Sequence, residues 1–261
     1  MKVAENKSGN LLPIWLVVCA AVSFQISATG AVTQPTTQPP PTTVPSPDDR
    51  FVIANTLLAE DFTNIDNWQY ELEAGGVVRA KDSALEIDVP AGCTVWLKKP
   101  FEGPIMVEYE ATVISAGGAN DRVSDLNCFW MARDSRSPDD LFATKRGGKF
   151  AEYNRLTCYY VGLGGNGNTT TRFRRYIGDE AVRPLLPEHD LSGKSDLIVA
   201  NAPQVVRLVA CGKLVQFYRD DRRLFQLLDD APYTSGWFAF RTTANHMLVK
   251  RFRVYRLAPK S

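Results

Sequence analysis

The chain has 261 residues, 44% of them hydrophobic, and its 30 Lys and Arg nearly balance its 29 Asp and Glu, giving a formal net charge of +1. That balance excludes the broad positive field with which a domain grips nucleic acid or an anionic membrane. The five cysteines and two histidines form no zinc or haem spacing, and no D-x-D-x-D-G string occurs, so no cofactor is expected; a structural calcium ion is compatible with the sequence but not indicated by it.

In chain order, Lys2 and Lys7 precede an apolar run over residues 11–22, and small residues follow at Ala28, Gly30 and Ala31. A charged start, a short apolar core and a small-residue cleavage site read as a signal peptide over residues 1–31. The run is shorter than the about 20 residues of a membrane span. The expected location is therefore secreted, periplasmic or at the cell surface, with no transmembrane segment in the mature protein. Cys19 raises the question of lipidation, but Val18 stands where a small residue should precede a lipidated cysteine. Residues 32–50, "VTQPTTQPPPTTVPSPDDR", lack apolar periodicity and read as an extended Pro/Thr linker. Residues 51–261 then form one domain. Its four cysteines, Cys93, Cys128, Cys158 and Cys211, allow three pairings, and strand-like surroundings equally suit unpaired buried thiols.

From residue 55 onward the pattern has period two, punctuated by turns. "ALEIDV" (84–89), "TVWLKK" (94–99), "IMVEYEATVIS" (105–115), "DLNCFWMAR" (125–133), "RLTCYYVGL" (155–163) and "TTTRFRRYI" (169–177) come first. "QVVRLVAC", "KLVQFYRD", "RLFQLLD", "GWFAFRTT" and "LVKRFRVYRL" complete the series, with a hairpin turn expected at "TTANHMLV". About eleven strands without an internal repeat predict an all-β fold, an antiparallel two-sheet jelly-roll sandwich. One short helical insert is expected over residues 137–145, from Ser137 as N-cap and Pro138 at the first helical position to a stop at Gly147-Gly148. It reads as a rim over one face or as a plain crossover. Two long loops, 116–123 and 178–203, are either functional or disordered.

"YYVGLGGNGNTTTRFRRY" contains a literal G-x-G-x-x-G at Gly162, Gly164 and Gly167. A dinucleotide loop needs a helix after the glycines, and Thr169-Thr170-Thr171-Arg172-Phe173 is strand material. A kinase loop would need H-R-D and D-F-G strings, and neither occurs. Gly-Asn-Gly-Asn between two strands predicts a tight hairpin turn instead. No nucleotide is expected as a partner.

Alternation puts Leu126, Cys128, Trp130 and Ala132 on one side of their strand as a core set. Asp125, Asn127, Phe129, Met131 and Arg133 fall on the other. On the next strand but one, Arg172, Arg174 and Tyr176 share a side. Arginines and aromatics on one sheet face suit a sugar groove, since rings cover apolar sugar faces and guanidinium forks hold hydroxyls or carboxylates. Asp125, Asn127, Phe129, Arg133, Arg172 and Arg174 are the candidate substrate contacts; arginines on an outward strand face are otherwise ordinary solvated residues. Among titratable groups, His189 lies in a long loop between Glu188 and Asp190, which would raise its pKa. Asp134, Asp139, Asp140 and Glu152 surround the expected helix, and no spacing singles out a hydrolase pair.

"LLAEDFTNIDNW", "GWFAFRTT" and "RFRVYRL" resemble the ends of concanavalin A-like lectin/glucanase modules of secreted bacterial proteins. "NDRVSDLNCFWMARD", "PDDLFATKRGGKF" and "YYVGLGGNGNTTTRFRRY" resemble a bacterial domain family of unknown function within that superfamily. The resemblance spans about residues 57–257. It implies the fold, export and a setting of polysaccharide degradation, and it brings no catalytic residues. The E-x-D-x-x-E string of laminarinase-type hydrolases is absent, as are the R-[ST]-E-L and Q-[IV]-H strings of jelly-roll alginate lyases.

The expected function is binding, and cleavage, of a polysaccharide or oligosaccharide, with a uronate-directed lyase as the sharpest form. Arg172, Arg174 and Asn127 would neutralise the uronate carboxylate. His189, Tyr160 or Tyr176 would act as catalytic base, the tyrosines with pKa values depressed by the arginines. A non-catalytic carbohydrate-binding module and a glycoside hydrolase are the alternatives.

Overall fold

The computed structural model describes residues 46–260. The expected signal peptide and all but the end of the Pro/Thr linker lie outside the described residues. Fourteen strands run antiparallel: β1 (Phe51–Glu60), β2 (Trp68–Leu72), β3 (Val77–Lys81), β4 (Ala84–Leu97), β5 (Phe101–Glu102), β6 (Ile105–Val113), β7 (Leu126–Asp134), β8 (Leu156–Gly164), β9 (Thr170–Ile177), β10 (Asp190–Leu191), β11 (Gln204–Cys211), β12 (Leu214–Arg219), β13 (Arg222–Leu228) and β14 (Ser235–Pro259). The main path is β10-β9-β8-β7-β14-β6-β11-β12-β13, so one curled sheet folds over itself into the two layers of a jelly roll.

Strand β14 makes the curl. Its first half lies between β4 and β7, and its second half between β6 and β1. The register shifts at Thr243/Asn245 and Lys250/Arg253, where Ala244 and Arg251 have positive φ. Such bulges bend a strand and increase its twist. The turn expected at "TTANHMLV" is therefore a bulge inside one 25-residue strand.

Alternation along β14 sends Phe238 and Phe240 between the layers, where they meet Tyr109 and Phe252 with ring centroids 4.8–6.4 Å apart. The opposite side of the same strand carries Trp237 and Ala239 into a second cluster with Trp96, Phe129, Tyr153, Tyr160 and Tyr176. This cluster lies under residues 135–155. The helix expected at 137–145 is a single 3₁₀ turn, Leu141–Ala143, capped by Asp140 rather than Ser137, and a second turn spans Phe150–Tyr153. Buried Leu141 and Tyr153 fasten both turns to the sheet. Arg146 adds a polar anchor: Nε donates to Glu71 at 3.1 Å and Nη1 to Asp134 at 3.0 Å, all three side chains being buried.

Met131 also departs from simple alternation. It has positive φ at the β7 bulge, so Met131 joins the inter-layer core and Ala132 the second cluster. The 178–203 loop is fastened rather than loose. Two 3₁₀ turns and β10 lie within it, Ile198 N donates to Asn168 Oδ1 at 2.9 Å, and Arg222 donates to Asp196 at 2.5 Å. The four cysteines among the described residues are free thiols; Cys93, Cys128 and Cys158 are core residues. No helix among the described residues is long and apolar enough to cross a membrane.

Candidate functional site

The strand registers place two rows of side chains on the outer face of β7, β8 and β9. Asn127, Gly162 and Arg172 are opposite one another in the first row, continued by Arg241 on β14 and Asp190 on β10. Phe129, Tyr160 and Arg174 form the second. Residues 135–155 cover the Phe129 end, and Phe150 forms the edge of that cover. Beyond that edge the face opens into a cleft of about 390 Å³. Asn127, Tyr160, Gly162, Arg172 and Arg174 come from the strands, Phe150 and Arg183 from one wall, and Arg122, Asp125 and Thr243 from another. The glycine-rich turn at Gly165–Asn168 closes a further side. Gly164, Asn166, Gly167 and Asn168 all have positive φ there, as a tight hairpin between β8 and β9 requires.

The polar groups are not equally occupied. Arg172 forks onto Asp190 at 2.7 and 3.1 Å. Arg122 pairs with Asp125 and donates to the Thr243 and Ala244 carbonyls. Asn127 donates to Asp125 Oδ1 at 3.3 Å, and its own Oδ1 is buried without a partner among the described residues. Among the described residues the Arg174 guanidinium donates only to the Arg183 carbonyl, at 2.5 Å, and Arg183 lies 5.5 Å over the Phe150 ring. Burial pulls the Arg174 pKa down from its ordinary value, and repulsion from Arg183 and Arg172 adds to this.

Five expected site residues therefore meet at the cleft: Asp125, Asn127, Tyr160, Arg172 and Arg174. The other four do not. Phe129 is fully buried in the second cluster, stacked 5.8 Å from Trp96, and presents nothing to a ligand. Arg133 is a tie, donating to Pro138 O and to both Ser235 oxygens. Tyr176 is 1% exposed beneath Tyr160 and the covering segment. His189 lies on the opposite face, because Asp190 turns to Arg172 and its neighbour must turn inward. The His189 ring packs 4.8 Å from Phe173, and Nε2 meets the Gln226 carbonyl at 3.2 Å.

The expected depression of the tyrosine pKa values is also reversed. Burial holds Tyr160 well above its ordinary 10 and pushes Tyr176 up to about 12, outweighing the arginines. None of Asp134, Asp139, Asp140 and Glu152 lines the cleft; Asp134 serves Arg136 and Arg146, and Glu152 accepts from Gly147 N at 2.6 Å. Among the described residues no cluster of His, Cys, Asp or Glu could hold a metal ion.

The profile of DUF6250, a domain of unknown function, matches residues 87–252. The chain belongs to this family. Its match takes in every cleft residue. No match was found among curated proteins. The fold of this chain is similar to a Bacillus subtilis protein of unknown function with a galectin-like fold, at TM-score 0.63 and 18% identity, covering 80% of this chain and 100% of that one. It is also similar to LamA from Z. galactanivorans, crystallised with laminaritriose and laminaritetraose, at TM-score 0.53 and 12% identity over 78% of this chain and 100% of that one. An endo-beta-1,3-glucanase from Pyrococcus furiosus follows at TM-score 0.50 and 12% identity over 80% and 96%. These likenesses establish the jelly roll.

Arg122, Phe150, Gly162, Arg183 and Thr243 line the cleft although strand alternation did not single them out as ligand contacts. Phe150 and Arg183 sit outside the strands, where period-two patterning is silent. Gly162 was visible only as the first glycine of the G-x-G-x-x-G string.

Proposed function

We propose that the cleft binds an acidic carbohydrate, such as a uronate-containing polysaccharide, without cleaving it. Charge carries the reading: the lining holds four arginines and a single carboxylate, Asp125. Asp125 is taken by Arg122, and Arg172 by Asp190, while Arg174 and Arg183 form no ion pair among the described residues. A half-buried guanidinium without a counter-ion is costly, and an anionic ligand relieves that cost. The Phe150 and Tyr160 rings offer apolar surface to sugar faces. The laminarin oligosaccharides held by LamA support carbohydrate over other anions by analogy of fold.

Binding is favoured over catalysis by the protonation states. β-Elimination needs a base near the proton α to the carboxylate. Tyr160 alone of the three candidates reaches the cleft, and burial keeps it a neutral phenol. A hydrolase needs two carboxyl groups about 5 to 10 Å apart, and the lining has one. Export by residues 1–31 and tethering by residues 32–50 belong to the same proposal.

The test is titration of the protein with polygalacturonate and alginate oligomers and with neutral laminarin. Acidic oligomers should bind, and Arg174→Gln with Arg183→Gln should abolish binding without lowering the melting temperature. Equal binding of laminarin would overturn the charge argument. A product absorbing in the near ultraviolet would replace the binding module with a lyase, and reducing ends without that absorbance would replace it with a hydrolase.

A further inference from the structure

Gly162 is at the centre of the cleft floor, opposite Asn127 on one side and Arg172 on the other. It has ordinary strand backbone, so no dihedral requirement explains the glycine. Space does. A Cβ built at this position meets Tyr160 Oη at 2.9 Å and the ring carbons Cε1 and Cζ at 3.3 and 3.4 Å. The Tyr160 phenol therefore lies across Gly162, along its own strand, and occupies the volume a side chain would fill.

That posture carries the hydroxyl from the Phe129–Tyr160–Arg174 row into the Asn127–Gly162–Arg172 row. The Tyr160 ring is nearly buried, at 6% exposure for the residue, and the side chain lines the cleft. The ring is held and the hydroxyl is open: the Tyr109 and Tyr176 hydroxyls are buried without a partner among the described residues, whereas the Tyr160 hydroxyl is not so buried, faces the cleft and is available to a ligand. Arg174 is the residue opposite Tyr160 on β9 and forms no ion pair among the described residues, while Arg172, opposite Gly162, is held by Asp190. A neutral phenolic O–H open to the cleft and a guanidinium without a carboxylate partner thus stand on adjacent strands, two donors that one planar anion can bridge.

We infer that Gly162 and Tyr160 form a carboxylate subsite, in which one ligand oxygen takes the neutral phenolic O–H and the other takes the Arg174 guanidinium. Gly162 is then the specificity-determining position, because only a residue without Cβ lets the phenol reach the floor. The ligand class this assigns is the uronic acid residue of a polysaccharide. Its planar carboxylate presents two oxygens side by side to two donors. The inference rests on the carbohydrate reading of the cleft and refines it.

Calorimetric titration with oligogalacturonate, beside dextran sulfate as a sulfate-bearing probe, tests the subsite. Tyr160→Phe removes one oxygen and should weaken oligogalacturonate binding about 10- to 100-fold, the usual worth of a hydrogen bond to a charged group, with the melting temperature nearly unchanged. Gly162→Ala should weaken binding at least as much by displacing the phenol. The same alanine should destabilise the wild-type protein more than the Tyr160→Phe protein, where the closest contact is gone. Full affinity in Tyr160→Phe, with binding lost in Arg174→Gln, overturns the subsite and leaves the acidic cleft standing. Dextran sulfate bound as tightly, with the same Tyr160→Phe loss, overturns the uronate assignment. If the wild-type protein binds no acidic oligomer, both the subsite and the cleft reading fall.

Discussion

Arg146 holds the covering segment to the sheet, and replacing it by methionine measures that attachment. The guanidinium is 1% exposed and donates to Glu71, Asp134 and the Leu141 carbonyl at 3.0–3.1 Å; it also lies 5.5 Å over the Trp96 ring. Methionine keeps much of the apolar stem and removes every donor. Asp134 retains Arg136, at 2.7 Å. Among the described residues Glu71 then keeps the Trp96 and Tyr153 donors, at 3.0 and 2.7 Å, and no cation, although burial already holds its carboxyl above the ordinary 4.5. Breaking a buried pair from one side costs about 3–5 kcal/mol, mostly the uncompensated charge left behind. For a domain of this size each kcal/mol moves the melting temperature by about 2–4 °C, so the variant should melt roughly 6–20 °C lower. Thermal unfolding followed by circular dichroism reads this directly. Adding Glu71→Gln should recover part of the loss by removing the stranded charge. A loss below about 1 kcal/mol, or a double variant no better than the single, would refute the anchoring role.

Arg174→Gln alone should reduce affinity for acidic oligosaccharides about 10- to 150-fold, since a charged hydrogen bond contributes about 1.5–3 kcal/mol; an unchanged titration isotherm would count against the cleft. His189→Gln should bind ligand like the wild type and lose about 1–2 kcal/mol of stability in urea, because the ring packs on Phe173 and Phe225 away from the cleft. Burial opposes ionisation of Asp229, yet the Arg175, Tyr159 and Ala231 donors outweigh it and hold the carboxyl below its ordinary 3.8. Its stabilisation is thus complete above about pH 4 and lost as the pH falls through the lowered folded value; Asp229→Asn should flatten the acid limb of melting temperature against pH, and parallel curves would contradict this. Gly164→Ala should cost roughly 1–3 kcal/mol in a urea melt, since Gly164 has φ of 66° and a Cβ there collides with Ile198 and comes within 2.6 Å of Asn168 Oδ1.

The strands were legible because one side of each meets an apolar layer, which imposes period two on the residues. What patterning missed were places where a tertiary contact overrides local geometry. At "TTANHMLV" the polar run reads as a turn. In the fold, Arg122 reaches over from the 116–123 loop and donates to the Thr243 and Ala244 carbonyls, fixing a bulge that keeps the chain in one strand. Nothing within the run itself encodes that partner, which is more than a hundred residues away. Met131 is similar: its positive φ swaps the sides of Met131 and Ala132, and alternation has no term for a swap.

The arginine face was legible for the same reason as the strands, since Arg172, Arg174 and Tyr176 alternate with Thr171, Phe173 and Arg175. Membership of a face does not make a residue available to a ligand. Phe129, Tyr176 and Tyr160 share this one, but the 135–155 segment covers the first two and leaves the edge of the third open. Where the cover ends depends on the Arg146 anchor and on Phe150, which sits among Tyr160, Arg183 and Arg241 at ring or cation distances of 5.4–5.7 Å. Those contacts join three separate stretches of chain. The same cover that buries Tyr160 keeps it protonated, so burial both defines the cleft and removes the base that an elimination mechanism would require there.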